Sequence, residues 1–302
     1  ALGYGSLGAI TTGGSNVAIG AYALGSEDTT GKAVAIGYNA LGNHNAGADS
    51  YNVAVGYNAG TLVSTGTSNT LMGGLVADAL TTGEKNVAIG YSALGAEDTG
   101  GQNVAIGYRA LSELNYDGNG YNTAVGSDAG RKLSTEDTSS HNTAIGYAAM
   151  ASGQNAAKNV AVGNNTLTSM QPASNTDTYN VAVGYNAGLS VTTGVQNTML
   201  GAQAGDALTS GHRNVAIGYE ALSTEDAHGY NIAIGYRALA TQDAGANAYN
   251  VAIGADAGRV ISTGTVNVLI GGTAGDALTI GNGNVAIGYA ALSTSVDGDY
   301  NT

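Results

Sequence analysis

Four Glu-Asp pairs, Glu27-Asp28, Glu97-Asp98, Glu136-Asp137 and Glu225-Asp226, are the residues of this chain with the most evident capacity for chemistry. Adjacent carboxylates supply several hard oxygen donors, so pairs stacked on one another can hold Ca²⁺. The Gly-Gly-x-Gly-x-Asp nonapeptide of calcium-binding rolls is missing from the sequence. The pairs are therefore read first as solvated turns, with calcium at Glu27, Asp28, Glu97, Asp98, Glu225 and Asp226 as the lesser alternative. His44, His141, His212 and His228 fall at unrelated phases and are expected on the surface rather than in a ligand set. Scattered Ser and Asp imply no nucleophilic triad, and the Gly-rich runs lack the Lys of a phosphate loop. No catalytic residue and no cofactor is expected.

Tyrosine offers a different kind of chemistry, the flat apolar face that covers a neighbouring chain or stacks on a sugar ring. Tyr38, Tyr57, Tyr91, Tyr108, Tyr185, Tyr219, Tyr236 and Tyr289 each follow a glycine, whereas Tyr51, Tyr121, Tyr179, Tyr230, Tyr249 and Tyr300 each precede an asparagine. The first set reads as packing between neighbours. Tyr51, Tyr121, Tyr179 and Tyr249 close lengthened segments and mark a contact edge.

The elements that position these residues come from one recurring string, Asn-(Val/Thr/Ile)-Ala-(Ile/Val)-Gly. Its first position falls at Asn16, Ala33, Asn52, Asn69, Asn86 and Asn103 and continues to Asn301; eleven of the sixteen intervals are 17 residues, which excludes a helical-hairpin repeat and suits one coil of a β-solenoid. The three residues between Asn and Gly alternate in size with the period of a strand. Stacked in register, about 17 coils make a parallel β-roll roughly 80 Å long. Gly20, Gly37, Gly56, Gly73 and Gly90 end the strands, where positive φ or lack of room for a Cβ is expected. The asparagines should form a hydrogen-bonded ladder that caps the turns. Val and Ile are expected to fill a thin core, and Ala the face where coils or chains approach.

Above the 17-residue period lies another of 70, a superunit of four coils that separates Asn52 from Asn122 and Asn180 from Asn250. Once in most superunits the central strand residue becomes large, as Leu71, Met199 or Leu269, and the residue after Gly becomes Gly74, Ala202 or Gly272 instead of Tyr. That exchange predicts a space shared by both positions on the outward face. The whole chain, 1–302, reads as one solenoid array, a piece of a longer protein or the unit of a polymer.

Composition agrees. There is no Cys, Trp or Phe and a single Pro, against 49 Gly, so a disulfide scaffold, a thiolate metal site and an aromatic core are excluded. A formal charge of −13 argues against nucleic acid and anionic membrane as partners. No apolar run is long enough to span a membrane as a helix, so no membrane insertion is expected.

Strings such as Asn86-Val87-Ala88-Ile89-Gly90-Tyr91-Ser92-Ala93-Leu94 resemble the repeats of bacteriophage and prophage tail-fibre proteins and are similar to the head repeats of trimeric autotransporter adhesins. The resemblance covers essentially the whole chain. It implies a left-handed β-roll, a homotrimer, an extracellular place on a virion or cell surface, and contact with a host glycan or receptor. The coil here is longer than in the adhesin heads and carries Tyr after Gly, which leaves a single-chain solenoid or a self-assembling filament as alternatives. Either way the expected role is structural: rigid extension with multivalent attachment.

Overall fold

The computed structural model describes residues 1–29, 31–133 and 140–302; Glu136-Asp137 lies outside them. The chain is an all-β solenoid divided into two compact units, Ala1–Ala157 and Lys158–Thr302. In the first, β1 (Val17–Ile19), β2 (Val34–Ile36), β3 (Val53–Val55), β4 (Thr70–Met72), β5 (Val87–Ile89), β6 (Val104–Ile106), β7 (Thr123–Val125) and β8 (Thr143–Ile145) pair in sequence order, all parallel, each residue opposite its equivalent in the next coil. A two-residue strand, β9 (Ala156–Ala157), follows. The second unit repeats the pattern with β10 (Val160–Val162), β12 (Val181–Val183), β13 (Thr198–Leu200), β14 (Val215–Ile217), β15 (Ile232–Ile234), β16 (Val251–Ile253), β17 (Val268–Ile270) and β18 (Val285–Ile287), and also holds the short β11 (Thr176–Asp177). Among the described residues no helix is long and apolar enough to cross a membrane.

Each strand begins at Asn because that residue's N–H lies outside the strand ladder and needs another acceptor. The side chain of the preceding Asn provides it: Asn52 Oδ1 accepts from Asn69 N at 2.8 Å, and Asn69 Oδ1 from Asn86 N at 2.9 Å. In most coils the other end of the amide donates to a carbonyl 14 residues on, Asn52 Nδ2 to Gly66 O at 2.7 Å and Asn86 Nδ2 to Gly100 O at 3.0 Å, whereas Asn103 Nδ2 donates to Gly101 O at 3.2 Å. Asn103 Oδ1 continues the ladder to Asn122 N at 3.2 Å, and Asn16 Oδ1 serves Ala33 N at 3.0 Å where the amide itself is missing. Asn52, Asn69, Asn86 and Asn103 are fully buried, and satisfying both ends of the amide is what makes that burial tolerable.

Each strand ends at glycine for two reasons that act together. Gly20, Gly37, Gly56, Gly73 and Gly90 have φ between +126° and +143°, a region L side chains rarely adopt. A Cβ on any of them would also fall on the carbonyl oxygen of the equivalent glycine one coil on.

The expectation that Val and Ile fill the core is overturned. The central residue of each strand points inward, with Ala35, Ala54, Leu71 and Ala88 at 0 % exposure, while the flanking Val and Ile lie half exposed on the outer face. Inside a 17-residue coil the sheet stands so close to the opposite wall that a methyl group fills the gap. Two further inward positions follow in the corner, as in Ala40 and Leu41 or Ala93 and Leu94, all fully buried. Leu41 and Leu94 adopt φ of 49° and 55°, and the same slot elsewhere holds Gly60, Gly188 and Gly258 with φ of 56° to 59°. A left-handed corner explains why Leu alternates with Gly there and with nothing β-branched.

The shared space inferred from Leu71, Met199 and Leu269 is therefore internal. A Cβ on Gly60 would come within 2.5 Å of Leu71 Cδ1, and one on Gly188 within 2.8 Å of Met199 Sδ; Leu269 Cδ1 stands 2.9 Å from the equivalent point on Gly258. A large strand residue enters where the preceding corner gives up its Leu, and the core keeps constant volume. The Tyr position lies on the other side of the backbone, with Tyr57 57 % exposed, and cannot compete for that volume. Over Gly74 lies the ring of Tyr91 from the next coil.

Candidate functional site

A fourth inward position, eleven residues after the Asn, is where chemistry enters the core. Val63, Leu80, Leu114, Leu133, Val191, Leu208, Ile261 and Leu278 occupy it as buried apolar groups. In three coils it holds Glu27, Glu97 or Glu225, at 1 %, 0 % and 0 % exposure, so these three glutamates are core residues and not solvated turns. His44 and Gln242 fill the same slot, both fully buried, which overturns a surface place for His44. His141 remains exposed.

A buried carboxylate needs donors, and the turn provides them. Glu97 Oε1 accepts from Gly100 N at 2.7 Å, and both its oxygens lie 3.3–3.4 Å from Tyr116 N in the next coil. Desolvation nevertheless dominates and lifts its pKa to about 7. Glu225 Oε1 accepts from His228 N at 3.0 Å and lies 3.2 Å from His228 Nδ1; burial raises its pKa too, opposed by His228. Glu27 Oε2 stands 3.7 Å from Nε2 of His44, whose Nδ1 lies 2.9 Å from Ser64 O and therefore carries the proton. Desolvation lowers the pKa of His44, opposed by the Glu27 carboxylate and the bond to Ser64 O.

The aspartates behave differently. Asp28, Asp98 and Asp226 turn their carbonyls to the preceding coil, where Thr11, Thr81 and Thr209 donate both N–H and Oγ–H to them. The Asp226 side chain is exposed, and Asp28 and Asp98 are half-buried. Among the described residues one group of ligating side chains converges, Glu225, Asp226, His228 and Asp243, with a donor atom of each within 4.8 Å of all the others. The structure thus brings together the third pair of the calcium alternative with two residues that sequence spacing did not connect. Glu27-Asp28 and Glu97-Asp98 gather no such set.

Both tyrosine sets form columns on the surface. In the first, Tyr38 stacks on Tyr57 with centroids 5.5 Å apart, Tyr91 on Tyr108 at 5.8 Å and Tyr219 on Tyr236 at 5.6 Å, the rings within 14° of parallel. In the second, each ring meets the equivalent residue of the preceding or following coil. Lys32 Nζ lies 5.1 Å from the Tyr51 centroid, Lys158 Nζ 5.3 Å from that of Tyr179, Tyr121 stacks on His141 and Tyr249 on Tyr230. Lys32 also pairs with Asp49 at 2.6 Å. The edge is a ladder of cations and rings whose members are already engaged with one another.

Sequence reading missed the inward carboxylates because acidic pairs in polar surroundings look like turns. The signal was present in the phase: counted from Asn, Glu97 occupies the place of Leu80 and Val63. No protein-family model, no curated protein and no solved structure matches this chain.

Proposed function

We propose that this chain is a structural fibre segment, a tail-fibre shaft or surface adhesin, whose outer sheet face packs against further copies of itself. One observation carries the reading. Apart from Thr70, Thr123, Thr143 and Thr198, every outward residue of the three-residue strands is Val, Ile, Leu or Met, and none is charged. A sheet with one wet face ordinarily alternates apolar inside with polar outside, and apolar surface of this continuity marks an interface. Parallel in-register stacking supplies stiffness, and the repeated Tyr columns supply many weak contacts for a glycan or protein receptor outside the cell. The role is non-enzymatic in this reading, with the buried carboxylates serving the scaffold.

The test places charge on that face without touching the core, in the double variant Val104→Lys, Ile106→Glu. Sedimentation and electron microscopy of the unaltered chain should show side-by-side oligomers, and the variant should be monomeric with unchanged circular dichroism. A wild-type chain that stays monomeric at high concentration sinks the lateral fibre. Filaments that lengthen with concentration and survive the double variant favour the alternative, subunits joined end to end.

A further inference from the structure

We infer that Glu225, Asp226, His228 and Asp243 form a binding site for one divalent transition-metal ion of the zinc class, bridging two successive coils of the second unit. The inference stands apart from the fibre reading and does not need it.

Its starting point is the buried carboxylate. Glu225 is 0 % exposed, and while Oε1 is engaged with His228, Oε2 has no hydrogen-bond partner. An ionised oxygen in that position is costly unless a proton or a cation meets it. The carboxylate belongs to the convergent set, whose donor atoms all lie within 4.8 Å of one another. That spread matches ligands arranged about a single ion with bonds of about 2.0–2.4 Å. Three carboxylates surround one imidazole, and among the described residues no Lys or Arg pairs with Glu225, Asp226 or Asp243. The site is thus anionic and lacks a resident cation.

The donor types choose the ion. Calcium and magnesium take oxygen ligands, whereas an imidazole nitrogen combined with carboxylates suits zinc and its neighbours. Ligation through Nδ1 requires the His228 proton to sit on Nε2, so binding displaces any proton shared between Nδ1 and Glu225 Oε1 and should be weaker at low pH. His228 is partly exposed and Asp226 and Asp243 lie at the surface, which gives an ion a route from solvent.

Comparison with the other acidic coils shows that this set is not a by-product of the repeat. The place of Asp243 is taken by Asn45 opposite Glu27 and by Asn115 opposite Glu97, and the place of His228 by Gly100 in the coil of Glu97. There the carboxylate is satisfied by Gly100 N and Tyr116 N. In the coil of Glu225 the main-chain N–H groups of His228 and Ala244 still face the carboxylate, and the repeat adds the His228 ring and two surface carboxylates beside it.

The experiment is a zinc titration of the full chain after stripping with chelator, followed by calorimetry and by the His228 ring resonances. One zinc per chain should bind and shift the His228 ring signals. Asp243→Asn, an exposed change that restores the residue found in the other acidic coils, should weaken binding at least about tenfold, as should Glu225→Gln. Glu97→Gln should leave stoichiometry and affinity unchanged. No saturable uptake, equal affinity in Asp243→Asn, or calcium bound as tightly as zinc would each overturn the assignment and leave a Glu225–His228 pair with a solvated rim.

Discussion

The coil that starts at Asn86 and the coil that starts at Asn214 are nearly the same object, each reading Asn-Val-Ala-Ile-Gly-Tyr-x-Ala-Leu-x-x-Glu-Asp. Their strands, corners and inward leucines, Leu94 and Leu222, correspond position for position, and both glutamates are fully buried. Both accept from the main-chain N–H three residues on, Gly100 and His228, but Glu225 also meets the His228 ring and borders a cluster of carboxylates. Three residues beyond each Glu, and in the coil that follows, the two differ, and this is enough to separate a purely structural acid from a candidate ligand. The scaffold thus tolerates one polar inward position per coil so long as the surroundings satisfy it, and the surroundings are free to vary.

The deepest way to break the equivalence is through the shared core. Leu94→Ala and Leu222→Ala should each cost about 3 kcal/mol, since each opens a cavity one large side chain wide in a core too thin to collapse around it. Unfolding free energies from denaturant titration of the two variants should agree within about 1 kcal/mol if the coils are energetically alike, as large-to-small changes at matched sites should. A difference of several kcal/mol would mean that neighbouring coils, and not the template, set the stability of each slot.

How much of this was legible beforehand follows from the same two coils. The period, the parallel register, the glycine that ends each strand and the asparagine ladder could be read from spacing because each serves the backbone and so recurs from coil to coil, with Ala33 the one break in the asparagines. Which face is inside could not, because the strand triplet Val-Ala-Ile is apolar on both sides and hydrophobicity alone assigns the larger residues to the core. The covered outer face proposed above would explain that ambiguity: a strand buried on both sides carries no polar face to mark solvent. The left-handed corners had one visible trace, Leu replaced by Gly at Gly60, Gly188 and Gly258. Glu225, His228 and Asp243 escaped because their meeting depends on a lengthened coil in which Asp243 falls twelve residues after Asn231, a phase that matters only once the coils are stacked.

The second contrast is in pH dependence. Burial lifts Glu97 from an ordinary value of 4.5 to about 7, so the folded chain holds that proton more tightly than the unfolded chain. The resulting stabilisation is fully present below pH 4.5, declines as pH rises from 4.5 to 7, and is gone above about 7. The window corresponds to roughly 3 kcal/mol. Glu97→Gln, which keeps a neutral group in the slot, should remove that decline and make the variant more stable than the wild type at pH 8. Glu225→Gln, measured with chelator present, should change the slope less, because His228 opposes the effect of burial on Glu225. Parallel slopes in wild type and Glu97→Gln would show that Glu97 is ionised in the fold across this range.

The finest test is on the outside of the same coils. Tyr91 stacks on Tyr108 at 5.8 Å and Tyr219 on Tyr236 at 5.6 Å, both pairs 13° from parallel. Matched geometry on matched templates should give matched coupling, about 0.5–1 kcal/mol in a double-mutant cycle to alanine. Beside the first pair Arg109 reaches Glu113 and Asp128 only at 3.6 and 3.9 Å, whereas beside the second Arg237 meets Glu220 at 3.3 Å. A larger coupling for Tyr219–Tyr236 that falls to the Tyr91–Tyr108 value in high salt would assign the excess to that ion pair and not to the rings. Equal couplings at all salt concentrations would show that the aromatic column is set by the 17-residue repeat alone, and that the two coils differ in nothing but what surrounds their buried acids.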